Sequence, residues 1–195
     1  MAITIEDIKK LKELSGVGLT DAKKALVEAE GDFDKALEAM RKKGLTKAEK
    51  RGDRETREGL IESYIHDGRL GAIIEVNCET SFVAKTDEFK TLAHNLAMQV
   101  ASMNPLYVSE ADIPEEAKAE KLKELESNFK GPENMKEKIL EGQFKKAFAE
   151  KVLLSQPYIL DDTKTVDQYI KDTIAKTGEN ITVRQFKRIE LGVTE

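Results

Sequence analysis

The segment GLIESYIHDGRLGAIIEVN (residues 59–77) decides the fold of the larger part of this chain, because it predicts a β-hairpin. Its centre, Asp67-Gly68, is a dipeptide that favours a two-residue turn between antiparallel strands. Such a turn predicts the strand pairs Ile65–Leu70, Ser63–Ala72, Ile61–Ile74 and Gly59–Val76. The opposite face then carries His66, Arg69, Glu62 and Glu75. We therefore predict a hairpin with most of its apolar side chains on one face.

The residues after the hairpin predict helices and one further strand. Apolar residues with helical spacing, ending before Asn104-Pro105, are Phe89, Leu92, Ala93, Leu96, Ala97 and Val100. Further helices are predicted from Pro114 to about Ser127, from Pro132 to about Leu154 with an interruption at Gly142, and from a Thr165 cap to Gly178. Residues 181–191 alternate with period two and predict a last strand. The order predicts an α+β core with a small antiparallel sheet packed by helices.

Upstream of the hairpin, the sequence predicts a three-helix unit over residues 1–44. Its apolar stripes are Ile5, Ile8, Leu11 and Leu14, then Ala22, Ala25, Leu26 and Ala29, then Phe33, Ala36, Leu37 and Met40. The segment SGVGL (residues 15–19) separates the first two helices, because its glycines permit a tight turn. The third helix is predicted to end at Lys42-Lys43-Gly44. A unit this small is typical of a binding module rather than a catalytic one.

A charged run, RKKGLTKAEKRGDRETR (residues 41–57), joins this unit to the rest of the chain. Residues 45–57 are predicted to be a linker or an exposed helix, ahead of a core over residues 58–195. The run fits a solvated surface, and it also fits a patch for nucleic acid or the ribosome. The net charge of −5 argues against a surface that binds nucleic acid throughout, so we expect no direct nucleic-acid partner.

The composition excludes several classes of protein. The single cysteine, Cys78, excludes an internal disulfide framework and a cysteine-based zinc cluster. Apolar runs stay well short of the roughly 18 residues that span a bilayer. The opening MAITIEDIKKLKEL has no apolar signal region. We expect a cytoplasmic chain without a membrane partner.

The sequence carries no common catalytic motif. Neither GxxxxGK[ST] nor GxGxxG occurs in it. His66 and His94 lack a cluster of neighbouring ligands, and His94 is predicted to lie at the surface or its boundary. Cys78 is predicted to be a small buried hydrophobe rather than a reactive thiol. We therefore assign no catalytic residue, no metal and no cofactor, and predict that the chain is not an enzyme.

The segment ETSFVAK (residues 79–85) is unusual, because it places Phe82 and Val83 between a strand and a helix, where a loop is expected. Two interpretations are open. Phe82 can be part of the core, or it can be an exposed aromatic on an anchored loop, which would suit contact with a partner.

Four blocks of the chain, in order, resemble the bacterial elongation factor Ts family. They are LKELSGVGLTDAKKALVEAEGDFDKALEAMRKKG (residues 11–44), VNCETSFVAKTDEF (76–89), LLSQPYILDDTKTVDQYI (153–170) and GENITVRQFKRIELG (178–192). The first is similar to the family's ubiquitin-associated-type module and the second to its central signature. The resemblance implies a guanine-nucleotide exchange factor for GDP-bound elongation factor Tu.

The same resemblance implies which residues contact that partner. Thr80, Ser81, Phe82 and Val83 would press near the Mg²⁺ and phosphate site of elongation factor Tu, with Phe82 as the wedge. The N-terminal module would bind the GTPase domain through Val17, Gly18, Leu19 and Lys23. At position 81 the family usually has Asp, whereas this chain has Ser.

Two further expectations follow from the resemblance. The chain is similar to the short form of the family, which has one core copy where longer members have two, so it is expected to form a homodimer. The alternative to an exchange factor is an adaptor, in which a ubiquitin-associated-type module is joined to an oligomerising core without exchange activity.

Overall fold

The computed structural model describes residues 3–15, 18–129 and 135–193. Its helices are α1 (Ile5–Ser15), α2 (Leu19–Glu28), α3 (Phe33–Glu49), α4 (Ser81–Ala84), α5 (Asp87–Met103), α6 (Glu115–Ser127), α7 (Lys136–Ala149) and α8 (Val166–Thr177). Its strands are β1 (Glu58–His66), β2 (Leu70–Cys78), β3 (Pro157–Tyr158), β4 (Asp161–Thr165) and β5 (Ile181–Glu190). Short 3₁₀ turns lie at Glu110–Asp112 and Leu153–Ser155.

The predicted α+β class is confirmed. Three antiparallel strands form a sheet in the order β1-β2-β5, and α5 packs across its inner face while α8 packs beside α5 and β5. The fully buried side chains between sheet and helices include Ile74, Val76, Phe89, Leu92 and Leu96. The small β3–β4 hairpin, which the sequence analysis did not predict, lies against α8.

The hairpin is present, but its predicted register is wrong by one residue. Asp67 and Gly68 both have positive φ, as their turn requires, and the Arg69 amide donates to the His66 carbonyl over 2.9 Å. The ladder nevertheless pairs His66 with Leu70, so three residues rather than two separate the strands. The Arg69 carbonyl accepts instead from Leu191, beyond the end of β5, over 2.8 Å.

This slip exchanges the two faces of β1. Tyr64 lies opposite Ala72 and Leu60 opposite Val76, and all four side chains pack toward the core. The predicted core positions Ile61 and Ile65 therefore point away from it. Together with the neighbouring strands they form an exposed outer face, whose large apolar side chains are Ile61, Ile65, Ile73 and Ile189.

The three N-terminal helices form, with a separate small core. It consists of Leu11, Ala22, Ala25, Leu26, Ala36 and Met40. The predicted end of the third helix is wrong, because α3 continues to Glu49 and packs against α8. Ala48 is buried in the main core, and the Arg51 guanidinium donates to the Ile174 carbonyl over 3.3 Å. Two residues of the charged run, Ala48 and Arg51, therefore contact the main core or the helix beside it.

The predicted helix boundaries near Thr165 and Asn104 are confirmed. Thr165 caps α8 by accepting from the Gln168 amide over 3.2 Å, and Gly178 ends the helix with a φ of 80°. Asn104, also with positive φ, ends α5 directly before Pro105. The helix predicted from Pro132 to about Leu154 ends earlier than expected, because α7 runs over Lys136–Ala149, without the predicted break at Gly142. Pro132 itself lies outside the described residues.

Candidate partner-binding site

Phe82 lies in the middle of α4, a single helical turn between β2 and α5, and 83% of its surface is exposed. Its neighbours are buried to different degrees. Val83 packs against the main core and Ala84 is buried within it, while Ser81 is half-buried and Thr80 is exposed. The chain therefore anchors α4 through one side and leaves the aromatic ring in solvent. Of the two interpretations of Phe82, the structure excludes the core.

The C-terminal end of α4 is fixed by the start of α5. Thr86 donates its hydroxyl to the Val83 carbonyl over 2.8 Å and accepts from the Phe89 amide over 3.2 Å. Phe89 is fully buried under the sheet. One threonine thus closes α4 and caps α5, so the two helices have a defined relative direction.

The N-terminal end of α4 is fixed by residues about 100 positions away in the sequence. The Thr80 amide donates to the Glu179 carboxylate over 2.9 Å, and the Thr80 hydroxyl donates to the same carboxylate over 2.6 Å. Beside this contact, the Glu79 carboxylate accepts from the backbone amide of Asn180 over 2.7 Å. We call the four residues Glu79, Thr80, Glu179 and Asn180 the crossed pairs.

Sequence analysis missed Glu79, Glu179 and Asn180 as site residues. The signal that could have found them is strand register. β2 and β5 pair Cys78 with Ile181, so an antiparallel continuation places Glu79 opposite Asn180 and Thr80 opposite Glu179. That register includes a bulge between Glu75 and Val76, which the pattern of side chains does not reveal.

Cys78 lies at the base of the site and is fully buried, as predicted. Burial, together with the negative charge of Glu179, raises the pKa of its thiol to about 11. The thiol donates to the Thr80 carbonyl over 3.2 Å. Cys78 therefore supports α4 as a neutral side chain, since the thiolate, the reactive form, is disfavoured.

The second set of predicted contact residues lies at the start of α2. Gly18 is the N-cap of this helix without a side-chain cap, and Val17 lies outside the described residues. Leu19 and Lys23 are exposed and four residues apart, so they share one face of the helix. Val27, which the sequence analysis did not single out, continues this exposed face.

The structure brings the predicted site residues together as two groups. Residues 80–83, which we call the α4 tip, belong to the sheet core. Gly18, Leu19 and Lys23, which we call the α2 edge, belong to the N-terminal cluster.

The part of the chain that the structure describes contains neither a cluster of metal-ligating side chains nor a membrane-spanning helix. Within residues 3–15, 18–129 and 135–193, His, Cys, Asp and Glu side chains do not form a group of three that could hold a metal ion. Over the same ranges, the helices all fall short of the length and apolar character needed to cross a bilayer.

The sequence of this chain is similar to named proteins along nearly its whole length. A family model described as "Elongation factor TS" matches residues 7–193. The elongation factor Ts of Thermotoga maritima is 54% identical over 195 residues, which cover 98% of this chain and 98% of that protein. The elongation factor Ts of Moorella thermoacetica is 50% identical, covering 97% and 96%. That of Rippkaea orientalis is also 50% identical, but the match covers only 78% of that longer protein.

These matches place the chain among the elongation factors of protein biosynthesis. More narrowly, the chain belongs to the elongation factor Ts family. The resemblance stated from the four sequence blocks is confirmed.

Proposed function

We propose that this chain is a guanine-nucleotide exchange factor that acts on the GDP-bound form of elongation factor Tu. The observation that carries the proposal is the exposure of Phe82 on a turn whose two ends are both hydrogen-bonded to the core. A large aromatic side chain left in solvent contributes little to the stability of an isolated chain, and it is the type of side chain that dominates binding at interfaces. Its fixed direction favours insertion into a partner.

The mechanism we propose requires no bond chemistry from this chain. Mg²⁺ neutralises the phosphates of a nucleotide bound to a GTPase, so displacing the ion weakens nucleotide binding. The α4 tip would press Phe82 beside that site, with Thr80, Ser81 and Val83 setting its position. Because binding effects are reciprocal, GDP weakens the factor's own binding equally, and a coupling of about 3 kcal/mol corresponds to roughly 150-fold.

The α2 edge has a different part in the proposal. Leu19 and Lys23 present an apolar and a cationic side chain on one helix face, next to Gly18. Val17, also proposed as a contact residue, lies outside the described residues. This surface would bind the GTPase domain and hold the complex together while the α4 tip acts. The proposed site of action is the cytoplasm, where protein synthesis takes place.

Release of a fluorescent GDP analogue from elongation factor Tu, followed by stopped flow, tests the proposal. An exchange factor raises the release rate in proportion to its concentration until the rate saturates. An adaptor would bind without changing the release rate, and that result would overturn the proposal. Bovine serum albumin at the same concentration controls for non-specific effects.

We further propose that the chain forms a homodimer through the outer face of the sheet. Four exposed isoleucines, Ile61, Ile65, Ile73 and Ile189, lie on three adjacent strands. Several exposed apolar side chains on one face of a sheet are typical of an interface, and two-fold dimers are the commonest assembly.

Multi-angle light scattering at micromolar concentration tests the dimer. We expect a mass about twice the 21.9 kDa of one chain. Ile73→Lys, in the central strand, should give monomers, because burying an unpaired ammonium in an apolar interface is costly. Leu122→Lys, at an exposed position on α6, is the matched control and should remain dimeric. A monomeric wild-type protein would contradict the proposal.

A further inference from the structure

Thr80 precedes the first helical residue of α4, yet its side chain does not cap that helix. At this position a threonine hydroxyl ordinarily accepts from a backbone amide of the first turn. Here the hydroxyl instead donates to Glu179, and the side chain makes no capping bond. α4 has only four residues, too few to be stable alone. Its direction at this end is therefore set by a contact from outside the helix.

We propose that Glu179 is a positioning residue for Phe82. This inference rests on the proposed exchange function and names a residue that controls it. The Glu179 carboxylate holds both the amide and the hydroxyl of Thr80, two residues before the wedge. Hydrogen bonds to a charged acceptor are shorter and about twice as strong as neutral ones. Glu179 thereby fixes the angle at which Phe82 leaves the core.

The backbone at Glu179 is held in place because the next residue, Asn180, is hydrogen-bonded to a distant segment of the chain. Asn180 is buried, and its side-chain amide donates to the Gly52 carbonyl over 3.2 Å and to the Arg54 carbonyl over 2.8 Å. The Arg54 guanidinium in turn lies 3.4 Å from the Glu79 carboxylate. The crossed pairs thus tie three distant segments together behind the α4 tip.

Glu179→Gln is the principal test, because it keeps the shape of the side chain and replaces one acceptor oxygen with a donor. A misplaced wedge contributes less to the transition state, so we expect the maximal exchange rate to fall about tenfold. The factor concentration at half-maximal rate should be unchanged, because the α2 edge is untouched. Thr80→Val should have a similar effect, whereas Thr80→Ser, which keeps the hydroxyl, should be close to wild type.

If Glu179 acts by positioning Phe82, the effect of Glu179→Gln on the exchange rate must require the Phe82 ring. In a Phe82→Ala background, Glu179→Gln should cause no further loss, since no ring remains to be aimed. An equal loss in both backgrounds would overturn the inference, as would a wild-type rate for Glu179→Gln. Glu141→Gln, at an exposed ion pair with Lys145 on α7, is the matched control and should leave exchange unchanged.

A second measurement does not depend on exchange. The chain has no tryptophan, so Phe82→Trp introduces a single tryptophan, excited selectively at wavelengths where tyrosine does not absorb, at the α4 tip. Adding Glu179→Gln should lower its fluorescence anisotropy, because the turn becomes more mobile, while the melting temperature of the core changes little. Unchanged anisotropy would contradict positioning. A wild-type exchange rate for Phe82→Ala would contradict the wedge proposal itself. A loss of exchange in Phe82→Ala together with a wild-type rate for Glu179→Gln would contradict only the role of Glu179.

Discussion

The two candidate contact surfaces are built in different ways. The α4 tip is hydrogen-bonded at both ends, to Glu179 before Phe82 and through Thr86 after it. The α2 edge begins at Gly18, which offers no side-chain cap, and it belongs to a small separate core. A side chain held in a fixed direction can displace groups of a partner, which is the role proposed for the α4 tip. A surface that only has to bind needs no such fixed direction, which is the role proposed for the α2 edge. The comparison suggests that rate depends on the α4 tip and affinity on the α2 edge.

The most severe test of this division is Phe82→Ala. We expect the maximal exchange rate to fall about 30-fold, corresponding to about 2 kcal/mol for truncating an aromatic hot spot. The melting temperature should be unchanged, because the ring is in solvent. Stopped-flow GDP release and thermal unfolding measure the two quantities.

Phe89→Ala is the matched control for that variant. Phe89 is also an aromatic near α4, but it is fully buried, so its loss should cost about 3–5 kcal/mol of stability. If Phe82→Ala melted as far below wild type as Phe89→Ala, Phe82 would have a structural role and the division would fail.

A smaller effect is expected at the α2 edge. Replacing Leu19 and Lys23 together by alanine should weaken association about tenfold, equal to about 1.4 kcal/mol, and leave the saturated rate unchanged. Alanine keeps the helix intact, because it is the best helix former. Titration of the release rate against factor concentration separates the two parameters. Lys24→Ala, an exposed neighbour on another face, should match wild type, and a lower saturated rate for the double variant would contradict the division.

The smallest expected effect concerns position 81. Ser81→Asp would add a carboxylate beside Phe82, at the position proposed to approach the Mg²⁺ of the partner, and we expect GDP release about fivefold faster, or about 1 kcal/mol. The effect should diminish as the Mg²⁺ concentration rises, if it acts through displacement of the metal. Ser81→Asn controls for size without charge. Equal rates for both variants and wild type, at every Mg²⁺ concentration, would mean that residue 81 only spaces the wedge.

Local sequence signals predicted the elements of this fold well. Asp67-Gly68, the Thr165 cap and the stop at Asn104-Pro105 each depend on residues within one turn of the feature, and each is present. The hairpin register was wrong because the dipeptide fixes the turn but not the residue at which pairing resumes. Arg69 belongs to neither strand, since its backbone bonds to His66 and Leu191.

The candidate site was only partly predictable for the same reason. Phe82 stands out in sequence as an apolar residue in a connecting segment, but that signal left a buried and an exposed side chain both open, and the structure shows the exposed one. Glu179 has no local signal, because its importance arises from the pairing of β2 with β5 across a bulge. For the charged run, the sequence left a linker and an exposed helix both open, and it did not predict that the run continues α3 and contacts the core, because Ala48, the part that is buried, is small.

The separation of Thr80 and Glu179 by 99 positions also matters while the protein is being made. A ribosome adds about 5–20 residues per second, so roughly 5–20 s pass between the synthesis of Thr80 and that of its acceptor. During that interval β2 also lacks β5, the strand that completes the sheet. Premature termination anywhere between the two positions would therefore release a chain that carries the exposed phenylalanine without the contact that aims it.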